Sequence, residues 1–406
     1  MQKIYRYWIA FQLIRRKIGF LRAVKYALKK LFTPSLSRVI ATSKPNVVDF
    51  YDFIYVNPFA ELLEQEMRSN IINWVIPDFN IGSGGHLNIF RVVKGLEDKG
   101  FICRINIDGI THFSNGHEAR KCIRKHFFQI EAEVSIGRQA LLPAAATFAT
   151  SWITAYTVRD FQASGKKYYF VQDFEPFFYA LGSEYVFAEE TYRFGFKAIT
   201  AGNWLANKLV KKYGMEAIPF DFSYDRGLYK PHARREPNRK RVFYYARPVT
   251  SRRAFELGIL TLAKVHEKNP EIEFILAGWD VSSYEIPFPH LNAGVCSLEA
   301  LPDLYSQCDV ALIISLTNLS LLPLEIMACG CAVVSNTGNN VEWMLNESNT
   351  KLVEPSPAAL SGAIVHLIEN PQVLSSLKSE GLKFAETTNW SGEIDKIIGV
   401  LEQDLS

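Results

Sequence analysis

No acidic side chain precedes Asp49, although eleven Lys or Arg do. Because the whole chain has a net charge of +3, everything after residue 48 carries −8. Also missing are a CxxC pair, an HExxH motif and a DxD triplet. The cysteines (Cys103, Cys122, Cys296, Cys308, Cys329 and Cys331) have no histidine partner at zinc spacing, and Cys329 and Cys331 flank Gly330 too tightly for a standard disulfide. These absences argue against a zinc site and a disulfide framework, and predict free thiols in a cytosolic protein. No run approaches the ~20 apolar residues that span a bilayer. Arg6, Arg15, Arg16 and Lys17 interrupt the first apolar stretch, and no small-residue cleavage site follows, which argues against a signal peptide.

What the chain does contain is apolar mass. It is 48% hydrophobic and 13% aromatic, enough to bury two domain cores and too much for a disordered protein. The opening MQKIYRYWIAFQLIRRKIGFLRAVKYALKKLF mixes cations with apolar and aromatic residues at helical spacing. Residues 1–48 therefore read either as a basic amphipathic helix on anionic lipid or as an extension packed on the protein, and the first is preferred. The acidic remainder carries no recognition motif, so no nucleic-acid partner is expected.

From residue 71 strands and helices alternate. IINWVIPDF (71–79), FICRINID (101–108), TFATS (147–151), KKYYFVQDF (166–174) and KAITAG (197–202) read as strands, with helical periodicity between them, as in LNIFRVVKGLEDKG (87–100). The polar stretch 223–241 reads as a linker. A second alternation follows, with strands RVFYYARP, EIEFILAGWD, LNAGVCS, VALIIS, AVVSN and KLVEP. The pattern predicts an α/β protein of two Rossmann-like domains whose ligands sit at carboxyl strand ends, across a cleft.

Several residues stand where chemistry is expected. Arg247 leaves a strand end and Arg252 opens a helix, so the two guanidinium forks can converge on a diphosphate. In LTNLSLLPLEIMACGCAVVSN, Pro323 and Gly330 mark the ends of a short helix and Ser320 is a candidate cap. Main-chain N–H groups around Ser320, Leu321 and Leu322 would add donors to the same anion. Glu325, one turn in, would accept hydrogen bonds from a sugar hydroxyl. In QDFEPFF, Asp173 and Glu175 alternate at a strand end and are candidates to orient or deprotonate an acceptor hydroxyl. His86, after the GSGG turn, is a candidate phosphate donor or helix cap, and His112 and His117 are weaker candidates in a polar loop.

With those residues in view, segment 290–342 resembles the C-terminal half of retaining family 4 glycosyltransferases of the GT-B fold. The likeness lies in the turn Gly294–Leu298, the helix LEALPDLYSQCDV, a strand, then PLEIMACGCAVVS and Glu342. It extends over most of residues 71–400. Within the family, YYARPVTSRRAFELG and YYFVQDFEPFFYALGSEYVFAEETYRFGF are most similar to the dTDP-rhamnose-using, WsaF-like rhamnosyltransferases of bacterial surface (S-layer) glycan assembly.

After the basic helical extension (1–49), the resemblance implies an acceptor domain (50–222, joined by a C-terminal helix, 386–406) and a nucleotide-sugar domain (223–385). It places Gly84, Gly85 and Leu298 at the donor and Glu325 on the nucleotide ribose, and it needs no cofactor or metal. It implies transfer of a sugar, expected to be L-rhamnose from dTDP-β-L-rhamnose, with retention, to a hydroxyl of a lipid-linked glycan at the inner membrane face. One position departs. Where the family usually carries a second Glu, seven residues before Glu325, this chain has Asn318, which keeps an acceptor and adds a donor but loses the charge. An epimerase and a non-catalytic nucleotide-sugar binder of the same architecture are the rival expectations.

Overall fold

The structure is a computed structural model, and it describes residues 46–60 and 70–406. The basic arm, residues 1–48, lies outside the described residues except for its end, where Val47–Phe50 form one helical turn.

Two wholly parallel sheets organise the chain. The first runs β3-β2-β1-β4-β5-β6-β7 and the second β10-β9-β8-β11-β12-β13. The first sheet comprises β1 (Ile71–Ile76), β2 (Ile102–Ile107), β3 (Glu133–Ile136), β4 (Ala144–Ala149), β5 (Ser164–Val171), β6 (Lys197–Ala201) and β7 (Ala217–Phe220). The second comprises β8 (Arg241–Tyr245), β9 (Glu273–Ala277), β10 (His290–Gly294), β11 (Val310–Ile313), β12 (Ala332–Asn336) and β13 (Lys351–Val353). Both orders reverse direction beside the first strand of their sheet, which opens a crevice at the carboxyl ends.

The central strands are continuous apolar runs because helices cover both of their faces. β1 and β4 are buried at every position. The sequence reading misses β3 and β7. Both are four-residue edge strands, partly exposed, and β7 carries Pro219, which only an edge tolerates. Neither presents the apolar run by which a strand is recognised.

The stretch read as a linker does join the sheets, but it is packed. Tyr224 and Tyr229 are buried, and Arg226 donates to the carbonyls of Glu386 and Thr388, each at 2.6 Å. The last helix, Trp390–Leu405, returns to the first sheet. Tyr168 donates to Asp404 at 2.7 Å, and Ile394 lies so close to Gly95 that a Cβ there would be 2.6 Å from it. The two crossings between domains thus lie side by side, the arrangement of a hinge. One apolar cluster, from Ile72 in β1 through Phe222 and Leu324 to Leu401, runs unbroken through both domains.

Candidate active site

The second domain supplies the positive side of the cleft. After β8, Arg247 donates to the Tyr245 hydroxyl at 3.0 Å. A 3-10 turn, Ser251–Arg253, follows, and Ala254 then takes a left-handed φ of 49°, a conformation unfavourable for a residue with a side chain. The Tyr244 hydroxyl holds this turn, 3.2 Å from the Ala254 carbonyl and 3.3 Å from that of Phe255. Gly258 makes room for it, since a Cβ there would come within 2.0 Å of the tyrosine ring.

The turn so fixed aims two guanidinium groups, and Arg247 stands just before it. Arg253 donates to the Ser315 hydroxyl at 2.5 Å. Arg252 lies 4.1 Å over the Phe178 ring of the first domain, with its Nε 3.7 Å from Asp173. The Nε groups of Arg247 and Arg252 are buried and have no hydrogen-bond acceptor. Orphaned cationic donors at a strand end are a natural seat for an anion.

The loop after β11 faces them. Asn336 donates to the Ser315 carbonyl at 3.0 Å and accepts from its N–H at 2.8 Å, while Asn340 donates to the carbonyls of Ser315 and Thr317. These two asparagines shape the loop and were not singled out in the sequence; nothing local marks them beyond their place after a strand. The helix Leu322–Ala328 begins without a side-chain cap, so Ser320 does not cap it, contrary to expectation. Its end is as read. Gly330 has φ 75°, and the N–H groups of Gly330 and Cys331 bond the carbonyls of Met327 and Ile326, the pattern of a Schellman motif. Leu298 lies partly exposed beyond β10 at the same edge.

Glu325 sits on this helix among Tyr229, Asp225 and, from the first domain, Arg91. Burial pushes its pKa up to about 7, while the Tyr229 hydroxyl and the Arg91 charge act the other way. Arg91 itself lies between two rings, 5.0 Å from Phe128 and 4.7 Å from Trp390, with its Nε unpaired. It comes from the polar side of an ordinary amphipathic helix, so no sequence signal marked it.

On the first domain, Gly82 needs its left-handed φ of 85°, and Gly84 and Gly85 open the helix Gly84–Asp98. A Cβ on Gly84 would meet nothing within 4 Å, so internal packing does not require a glycine there. His86 departs from the phosphate-donor expectation. Its Nδ1 is 2.8 Å from the Ser83 hydroxyl and its Nε2 3.2 Å from the Pro77 carbonyl, and burial lowers its pKa to about 4. It is a neutral brace between strand end and helix start. His112 pairs with Asp78 at 2.8 Å in an exposed loop, and His117 is exposed nearby.

Glu175 also departs from expectation. It does not face the cleft; it is 7% exposed, accepting from the Trp152 N–H at 2.9 Å and the Tyr169 hydroxyl at 3.0 Å. The chain turns into the 3-10 segment Glu175–Phe178 directly after Asp173, so strand alternation no longer holds. Burial raises the Glu175 pKa to about 7 from 4.5. The folded protein thus holds this proton more tightly than the unfolded chain. The contribution is present below about pH 4.5 and is lost as pH rises through about 7, on the order of 3 kcal/mol. Glu175→Gln should flatten the fall in melting temperature over that window and leave the fold intact. A slope identical to the wild type would refute the assignment.

Asp173 and Asn318 meet across the cleft. Asp173 accepts from the Asn318 N–H at 2.8 Å and the Thr317 hydroxyl at 2.7 Å. The Asn318 amide donates to the carbonyls of Gln172 at 2.9 Å and Ala201 at 2.8 Å, and accepts from the Trp343 indole at 2.8 Å. Neither oxygen of Asp173 is free to take an acceptor's proton in this arrangement. Gln172 carries the contact on to the Gly85 carbonyl at 3.0 Å.

Two parallel sheets that present their carboxyl edges to one cleft, with arginines on one wall and a glycine turn on the other, define the GT-B fold of glycosyltransferases. Solved structures share it: sucrose-phosphate synthase of Thermosynechococcus elongatus (TM-score 0.65, 14% identity, 82% of this chain and 98% of that one) and Anabaena HepE in complex with UDP and glucose (TM-score 0.62, 15% identity, 82% and 99%). Family models described as the WsaF N-terminal and C-terminal domains match residues 138–203 and 240–365. In part of each domain the chain is thus similar to WsaF. It is also 36% identical over 267 residues to the O-antigen biosynthesis protein RfbC of Myxococcus xanthus, matching 64% of this chain and spanning only 21% of that protein's length. Among the described residues no helix is long and apolar enough to cross a membrane.

Proposed function

We propose that the protein transfers a sugar from a nucleoside diphosphate donor to a hydroxyl of a growing surface glycan, with retention at the anomeric carbon. The observation that carries this reading is the convergence of Arg247, Arg252 and Arg253 on one strand end, two of them with unpaired buried Nε groups. Such a cluster stabilises the charge that develops on a departing diphosphate. In the reaction, the bond between the anomeric carbon and the phosphate oxygen breaks. The acceptor oxygen bonds the same face of that carbon, and its proton passes to the leaving phosphate. No protein nucleophile and no metal is invoked. Glu325 would accept from a nucleoside hydroxyl, and the unencumbered Gly84 would let main chain approach the donor.

The finer assignments rest on resemblance. The segments around Tyr244 and Tyr168 favour dTDP-rhamnose as donor. The likeness to a protein named for O-antigen biosynthesis favours a lipid-linked glycan as acceptor. The eleven cations of residues 1–48 favour a cytoplasmic enzyme held peripherally on the inner face of an anionic membrane.

Calorimetric titration of dTDP, UDP, GDP and dTDP-rhamnose into wild type and Glu325→Ala tests the site. dTDP should bind best, and more tightly as pH rises through about 7, where Glu325 becomes ionised. The alanine variant should lose both the affinity and the pH dependence. Binding that is indifferent to nucleotide and to Glu325 would sink the reading.

A further inference from the structure

Resting on that donor site, a second feature concerns how it is guarded. Asp173 belongs to the first domain, yet its carboxylate lies inside the second domain's anion-binding elements. It takes the Asn318 main-chain N–H at 2.8 Å and the Thr317 hydroxyl at 2.7 Å, and Arg252 approaches to 3.7 Å. A main-chain N–H in the loop after a parallel strand, a hydroxyl and a guanidinium are the partners a phosphate oxygen takes. Burial still raises the Asp173 pKa despite them, so the ionised carboxylate is held there at a cost that a move into solvent would recover.

Asn318 closes the contact from the other side. Its amide nitrogen reaches two first-domain carbonyls, of Gln172 and Ala201, and its oxygen takes the Trp343 indole. The Trp343 ring in turn covers Gly202, where a Cβ would be only 2.5 Å away. A carboxylate at position 318 has no hydrogen to offer those two carbonyls and would face Asp173 with like charge. The amide is therefore what permits the domains to touch here.

We propose that Asp173 and Asn318 form a latch that holds the cleft shut with the Asp173 carboxylate in the anion position, so that a donor diphosphate binds by displacing it. The latch gives a role to the asparagine that stands where the resemblance led us to expect a glutamate, and it links the glycine turn to the donor loop through Gln172 and the Gly85 carbonyl.

The test uses the full chain and dTDP as probe, with Asp173→Asn and Trp343→Phe, which removes the indole N–H held by Asn318. If the latched form is about 90% populated, its loss tightens apparent dTDP binding about tenfold, because the competent fraction rises by that factor. Asp173→Asn also removes a charge beside the arginines, whereas Trp343→Phe keeps it and leaves the Thr317 hydroxyl in place. Tightening in Trp343→Phe, smaller but in the same direction, therefore reads the latch and not the field. Small-angle scattering should give both variants a larger radius of gyration than wild type before dTDP is added. Tightening confined to Asp173→Asn with unchanged dimensions, or no tightening in either, overturns the latch and leaves the donor site standing. dTDP binding to none of the chains removes the latch together with the donor site.

Discussion

Arg252→Ala should weaken dTDP binding by ~2–5 kcal/mol, the usual loss when one partner of a close charge pair is truncated. The direction is opposite to that expected for Asp173→Asn, although the two side chains are neighbours. Arg252 reaches the cleft from a turn held by other groups, and its guanidinium already lies over the Phe178 ring, so little ordering accompanies binding. Arg252→Lys restores the charge but not the planar fork or the stacking, and should recover only part of the affinity. Calorimetry on the three chains decides the matter. Wild-type affinity in Arg252→Ala would mean that the cluster is structural.

Gly258→Ala should destabilise the second domain by ~1–3 kcal/mol, as over-packing of a filled core does, and should also weaken dTDP binding. The added methyl would fall 2.0 Å from the Tyr244 ring, which is itself buried under the helix Phe255–Lys268 and has no free space to yield into. Displacing that ring moves the hydroxyl that holds the Ala254 carbonyl, and with it the turn bearing Arg252 and Arg253. Chemical denaturation gives the first effect and calorimetry the second. Undiminished stability would mean that the helix shifts freely, contrary to the packing described. A Tyr244→Phe exchange, which keeps the ring and removes the hydroxyl, separates loss of the turn from loss of the packing.

The sequence carried the fold because the relevant signals are local and repeated. Apolar runs bounded by turns mark β1, β4 and β5, and periodic helices mark the crossovers between them, whichever domain they lie in. The edge strands β3 and β7 escaped because a strand with one exposed side and four residues has no run to show. Gly330 and Pro323 were legible for the same reason as the sheets, since helix ends impose backbone requirements on particular residues.

Side-chain roles were legible only where the backbone alone aims the group. Arg247 and Arg252 follow a strand end and open a turn, and any fold that builds β8 places them at the cleft. Glu175 follows a strand end too, but the chain bends before it and carries its carboxylate into the core beneath Trp152. His86 stands in a glycine turn as a phosphate ligand would, and the proximity of Pro77, set by the close of β1, consumes its second nitrogen.

By itself, then, the sequence determined two parallel α/β domains, their order along the chain, and an arginine pair at a strand end. These follow from periodicity and from local backbone geometry. Only the tertiary structure decided that Asp173 meets Asn318, 145 residues away, that Arg91 confronts Glu325 from the other domain, and that Trp343 lies on Gly202. Such pairings depend on how two separately patterned sheets face one another, and the spacing of residues within either sheet carries no record of that.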